Sequence, residues 1–161
     1  MKKKIFFYIL IIFHLFTKQI NSLENKIILK VNNKMITTFN ITQEEKYLIV
    51  LNQKLKTIDK NKLKVLATNS IVKEKIKEIE LVKYYQIEKT LEDANLQKII
   101  KNLYETIGFQ NEKEFKDYLE NQNLKFSLIK RKLAIEMLWN NLIFEKFKNL
   151  FVIDENEIKD N

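Results

Sequence analysis

The chain has 161 residues, 45% of them apolar and 31% charged, with a formal net charge of +8. That length holds one domain of ordinary size, and that mix belongs to folded soluble proteins rather than disordered ones. There is no Cys, no Pro, one Gly and one His, which excludes disulfides, thiolate nucleophiles, Cys-based or two-His metal sites and glycine-rich phosphate loops.

Met1–Lys4 reads MKKK, Ile5 to Phe16 is almost wholly apolar, and a polar stretch runs from Thr17 to Ser22. This is the layout of a secretory signal: a basic start, an apolar run of roughly 7–15 residues and a small residue at the cut. A bilayer span needs about 20 residues, more than this run offers. Cleavage after Ser22 is expected, with a signal peptide over 1–22 and one domain over 23–161. An uncleaved anchor is the other reading, and the chain would then touch a membrane only through this segment. No Cys follows the run, so lipid attachment of the lipoprotein kind is excluded. Cleavage removes four lysines and no acid, so the net charge falls from +8 to +4. That excess is too small to point to nucleic acid. His14 leaves as well, and acid–base chemistry near neutral pH is left to Lys, Tyr, Asp and Glu. Nearly all basic side chains are Lys, with Arg131 the sole Arg, as a bias toward A/T-rich codons would produce.

Ile27–Val31 is β-prone, and Asn32-Asn33 tolerates the positive φ of a tight turn. Met35–Thr38 returns as a second strand, so a hairpin is predicted. A first helix is predicted to about Leu55, capped by Asn40 with Gln43 or by Thr42 with Glu45. Tyr47, Leu48, Val50 and Leu51 supply its apolar side. After a polar break over Thr57 to Asn61, a long helix is predicted from about Lys62 to about Lys89. Val65, Val72, Ile76, Ile79 and Val82 recur in it at helical spacing, with Glu74, Lys75, Lys77, Glu78 and Glu80 mostly off that stripe.

A third helix is predicted from Asp93 to Ile107, stopped by Gly108 in the left-handed conformation with Phe109 packed back on the last turn. A fourth spans Asn111 to Gln122, with Asn111 and Glu114 as capping box. A fifth, from Phe126 to Asn149, has a wide apolar surface that must be buried on several sides or offered to a partner. Phe151-Val152-Ile153 is again β-prone. The fold expected is mostly α: a multi-helix domain with a short N-terminal hairpin.

Three stretches, in order, resemble the N-terminal domain of SurA-type periplasmic chaperones, a peptide-binding domain of the trigger factor/SurA kind. Val31-Asn32-Asn33 with Ile36–Ile41 is similar to that family's "VVNG…ITxSDI" opening, and Ile71–Ile76 resembles its "LIDEKL" helix. Gly108-Phe109, Asn111–Leu124, Arg131 and Ile153–Ile158 resemble "NGLSLEQFRxxLxxQGLSYEEYRxQIR…ITVSEEEV". Departures are Asn33 where the family often has Gly, Asn40 for the usual capping Asp, and Leu81 where a small residue is common. The resemblance spans Ile27 to Ile158. It implies a periplasmic, mostly helical holdase that keeps unfolded outer-membrane proteins from aggregating. Longer family members carry parvulin-type isomerase domains after this region; none is expected here, and no enzymatic activity. The family's C-terminal segment, which packs onto the N-terminal helices, is also missing, which leaves a surface for self-association or for a client.

A holdase needs exposed apolar surface, and contiguous patches above about 300–600 Å² usually mark interaction sites. The candidates are Tyr84, Tyr85, Phe126, Trp139, Phe144, Phe147 and Phe151, with Met35 and Met137 as adaptable additions. For any one of them core burial is the commoner fate. No catalytic, cofactor or metal residue is assigned. Acid pairs such as Glu44–Glu45 and Glu112–Glu114 sit in helix first turns, where acids favour the dipole. Ser70 and Ser127 have no His partner, though a Ser–Lys pair stays open. Asn40-Ile41-Thr42 matches a glycosylation sequon that capping explains better. The competing function is a docking or dimerisation subunit that binds one fixed partner or a second copy through the fifth helix.

Overall fold

The computed structural model describes residues 25–148. The expected signal segment 1–22 and the Phe151–Ile153 stretch lie outside the described residues. Within them the fold is mostly helical, with six α-helices and one two-stranded antiparallel sheet near the N-terminus.

Strand β1 (Ile27–Val31) pairs with β2 (Lys34–Thr37), Val31 opposite Lys34. The two-residue loop is Asn32-Asn33, and Asn32 takes the positive φ of 54° that such a loop requires. The register slips between Ile27 and Leu29. Ile36 is the one fully buried hairpin residue; it packs with Ile41, Ala67 and Ile71.

Helix α1 spans Thr38–Leu51 and starts earlier than either predicted cap. Thr37 is the cap: its hydroxyl accepts the N–H of Asn40 at 3.3 Å, and the Asn40 side-chain oxygen accepts the N–H of Thr37 at 3.0 Å. Asn40 is therefore the far half of the capping box, not the cap. The cause is continuity with β2. Thr37 ends the strand in an extended conformation, which is also the conformation a cap needs. After Leu51 the expected last turn is a 3-10 turn over Gln53–Thr57.

Helix α2 spans Lys60–Leu81, with Asp59 accepting the N–H groups of Asn61 and Lys62. The predicted single helix to Lys89 is corrected. The chain turns after Leu81, whose carbonyl accepts from both Tyr84 and Tyr85, and resumes as α3 (Ile87–Thr90). Leu81 and Ile87 enter the same apolar cluster with Ile135, Leu138 and Leu142, and the turn lets both reach it. The predicted apolar stripe of α2 is corrected too. Ala67, Ile71, Glu78 and Leu81 are buried, whereas Val65, Ile76 and Val82 are 58%, 51% and 59% exposed.

Helix α4 (Ala94–Thr106) is capped by Asp93 and closed by Gly108 at φ +99°. The N–H of Phe109 reaches the Tyr104 carbonyl and that of Gly108 the Glu105 carbonyl, the paired bonds of a Schellman ending. Phe109 folds back, its ring 5.6 Å from that of Phe115. Helix α5 (Glu112–Asn121) starts at Asn111, which accepts the N–H of Glu114 at 2.9 Å. Helix α6 (Phe126–Phe147) packs against α2, α3 and α4, while α1 packs against α2. The core at the α5 end centres on Phe115, Leu119, Leu124 and Ile129, all buried.

Candidate functional site

Helices α2 and α6 run side by side with their C-terminal halves together. Lys77 Nζ lies 2.5 Å from a Glu136 oxygen, and Lys146 Nζ lies 3.7 Å from Glu80 Oε1, nearer the C-terminus of both helices. Leu81 and Leu142 close the seam beneath. Above it the exposed stripe of α2 faces outward beside the hairpin turn, and an open groove of about 610 Å³ results.

The groove floor is apolar: Ile76 and Ile79 from α2, Trp139, Ile143 and Phe147 from α6, and Val31 from β1. Its rim carries Glu80, Lys83 and Lys146. Beside it Phe144 is 63% and Tyr84 54% exposed, which extends the apolar surface around the end of α6. Cations sit on the aromatic faces. Lys146 Nζ lies 5.0 Å from the Tyr84 ring centre and Lys77 Nζ 5.9 Å from that of Trp139. Such stacking keeps a ring wet on one face and available on the other. Lys83 is hydrogen-bonded to Glu80, which holds the Glu80 carboxyl below the usual range and pushes the Lys83 ammonium up.

The predicted aromatic residues divide. Trp139 and Phe147 line the groove and Tyr84 and Phe144 border it. Tyr85 is half-buried against the Leu81–Ile135 cluster. Phe126 lies some 21 residues before Phe147 on the same helix, about 31 Å away along the axis. It packs edge-on against Phe115 at 6.2 Å, as part of the core rather than the groove. Phe151 lies outside the described residues. Met35 is exposed on β2, and Met137 packs against the Leu96–Ile100 cluster. The aliphatic members, Ile76, Ile79 and Ile143, were invisible as site residues because helical spacing alone reads them as packing.

A buried ionic network holds the helices that carry the groove. Lys132 of α6 is an ion-pair partner of Glu44 on α1 and of Glu74 on α2, with its Nζ 4.8 Å from the Tyr47 ring centre. Glu44 Oε1 accepts from Ser70 Oγ at 2.7 Å, so that hydroxyl faces a carboxylate and not a lysine base. Glu44 Oε2 lies 2.5 Å from Lys132 Nζ as an ion pair without hydrogen-bond alignment. One turn along, Glu78 takes Lys75 at 2.8 Å and Arg131 at 2.8 Å. Burial works to raise the Glu78 carboxyl, but Lys75 and Arg131 together hold it below the usual range. Burial, followed by the charges of Glu44 and Glu74, pushes the Tyr47 phenol far up.

Among the described residues no group of three or more His, Cys, Asp and Glu is placed to hold a metal ion, and no helix is long and apolar enough to cross a membrane. Compared with family models, curated proteins and solved structures, the chain matches none.

Proposed function

We propose that the chain is a holdase-type chaperone that takes unfolded polypeptide segments into the α2–α6 groove and keeps them from aggregating. Unfolded outer-membrane proteins in the periplasm are its clients. The observation that carries this reading is the groove itself: an apolar floor of Ile76, Ile79, Trp139, Ile143 and Phe147, open to solvent and edged by lysines. The floor offers area and aromatic faces, which accept many apolar side chains without demanding one sequence. Lysines at the edge keep that surface soluble. The export signal expected from Met1 to Ser22, and the resemblance to SurA-type domains, support the same reading.

The test is aggregation suppression. The chain from Leu23 to Asn161 is mixed with a porin diluted from denaturant, and light scattering is followed against chain concentration. A folded soluble protein of similar charge is the control. Suppression near equimolar ratio is expected. No suppression by a folded sample overturns the holdase reading and leaves the groove to one fixed partner or a second copy.

A further inference from the structure

We propose that the face formed by the start of α1 and the α5–α6 turn binds a peptide segment that carries an apolar side chain flanked by acidic ones. This face is separate from the α2–α6 groove and does not rest on the holdase reading. Its residue Leu128 lies 11 residues before Trp139 and 19 before Phe147, about 16 to 28 Å along α6.

Two hollows meet there, of about 300 and 370 Å³. Phe39, Gln43 and Asn123 line both, so one extended ligand can lie across them. Phe39 is 58% exposed, while the inner face of α1 begins two residues later at the buried Ile41. Leu128 adds apolar surface in the second hollow. Asn123 turns the chain between α5 and α6 at a φ of 54°, a conformation Asn tolerates, and so reaches the wall it shares with α1.

The carboxamides around Phe39 have a fixed orientation. Asn25 accepts the N–H of Phe39 at 3.2 Å, and Asn40 accepts that of Thr37 at 3.0 Å. A backbone N–H only donates, so the atom facing it in each carboxamide is the oxygen, and the NH2 is left for a ligand. Asn25 lines the first hollow and Asn40 the second. Gln43 and Asn123 use neither end of their carboxamides among the described residues. Such a group matches a peptide unit, which also offers one donor and one acceptor; a phosphate offers acceptors alone.

Charge selects the neighbours of the apolar side chain. Lys46 lines the first hollow and Lys125 the second, and neither has an acid partner among the described residues. Glu44 is the one acid lining either hollow among the described residues, and Lys132 holds it at 2.5 Å as an ion pair. The face therefore sets an open cation on each side of an exposed ring. A carboxylate, an apolar group and a second carboxylate, in that order, complement it.

The probe is a blocked pentapeptide with Leu at its centre and two Glu on each side, titrated into the isotope-labelled chain from Leu23 to Asn161. Saturable movement of the Gln43 and Asn123 side-chain NH2 signals in NMR spectra is expected. Lys46→Glu and Lys125→Glu together are expected to weaken binding about tenfold, and Phe39→Ser to weaken it as well. The same peptide with Lys in place of Glu, and inorganic phosphate, are expected to leave those signals unmoved. No saturable movement at millimolar peptide overturns the proposal. So does movement of the Trp139 indole signal without that of Gln43 and Asn123, or equal binding of the lysine peptide or of phosphate. Circular dichroism checks folding; Lys125 is exposed, so Lys125→Glu decides alone if the double variant unfolds. Peptide binding at this face without aggregation suppression leaves the site standing and removes the holdase reading.

Discussion

The ammonium of Lys132 on α6 sits 2.5 Å from a carboxylate oxygen of Glu44 on α1, both residues 5% exposed or less. With Glu74 on α2 as its second partner, Lys132 ties together three helices. Removing it leaves two acids near each other without their common cation. Lys132→Met is expected to destabilise the fold by about 3–5 kcal/mol, measured as a drop in the urea midpoint. Adding Glu44→Gln is expected to recover part of that loss. A Lys132→Met protein as stable as the parent would show that the network is dispensable.

Glu78 gives the acid side of stability a defined sign. Its folded value lies below the ordinary Glu value of about 4.3, because Lys75 and Arg131 outweigh its burial. Its contribution is therefore complete above about pH 4.3 and is lost as pH falls through the lower folded value. Glu78→Gln is expected to lower the urea midpoint at pH 7, with the gap from the parent closing toward pH 3. A gap that stays constant across that window refutes the assignment.

Groove and core respond differently to substitution. Ile76 is 51% and Phe147 42% exposed, so Ile76→Ser and Phe147→Ser are expected to change stability by no more than about 0.5 kcal/mol. Both are expected to weaken aggregation suppression. Phe115 is fully buried at the α5 end, and Phe115→Ala is expected to cost about 3–5 kcal/mol. Suppression by the folded fraction of that variant should persist.

Gly108 ends α4 at φ +99°, where a Cβ would meet no atom within 4 Å. The cost of Gly108→Ala is therefore one of backbone conformation alone, about 1–2 kcal/mol. A lowered thermal midpoint without loss of helix content in circular dichroism is the expected result.

Local chemistry made much of the fold legible from the sequence. The hairpin loop, the helix start at Asp93, the cap at Asn111 and the stop at Gly108 depend on residues a few positions apart; Asp59, read as part of a polar break, is a cap of the same local kind. Such interactions are satisfied within one turn whatever the rest of the chain does. The cap at Thr37 was missed because it depends on where β2 ends, and pairing with β1 decides that.

By itself the sequence determined a mostly helical chain behind a short hairpin, with most of the helices near their observed places; it offered seven aromatic residues as surface candidates without saying which of them come together. The tertiary structure decided which face of α2 is inside. Two stripes on that helix have helical spacing, and the more apolar one, Val65 to Val82, faces out at Val65, Ile76 and Val82. The stripe that contains Glu78 faces in, because Lys75 and Arg131 neutralise it and Lys132 does the same for Glu44 and Glu74. Arg131 and Lys132 lie 53 to 88 residues along the chain from the acids they neutralise, which periodicity cannot register. That choice of face leaves Ile76 and Ile79 beside Trp139 and makes the groove.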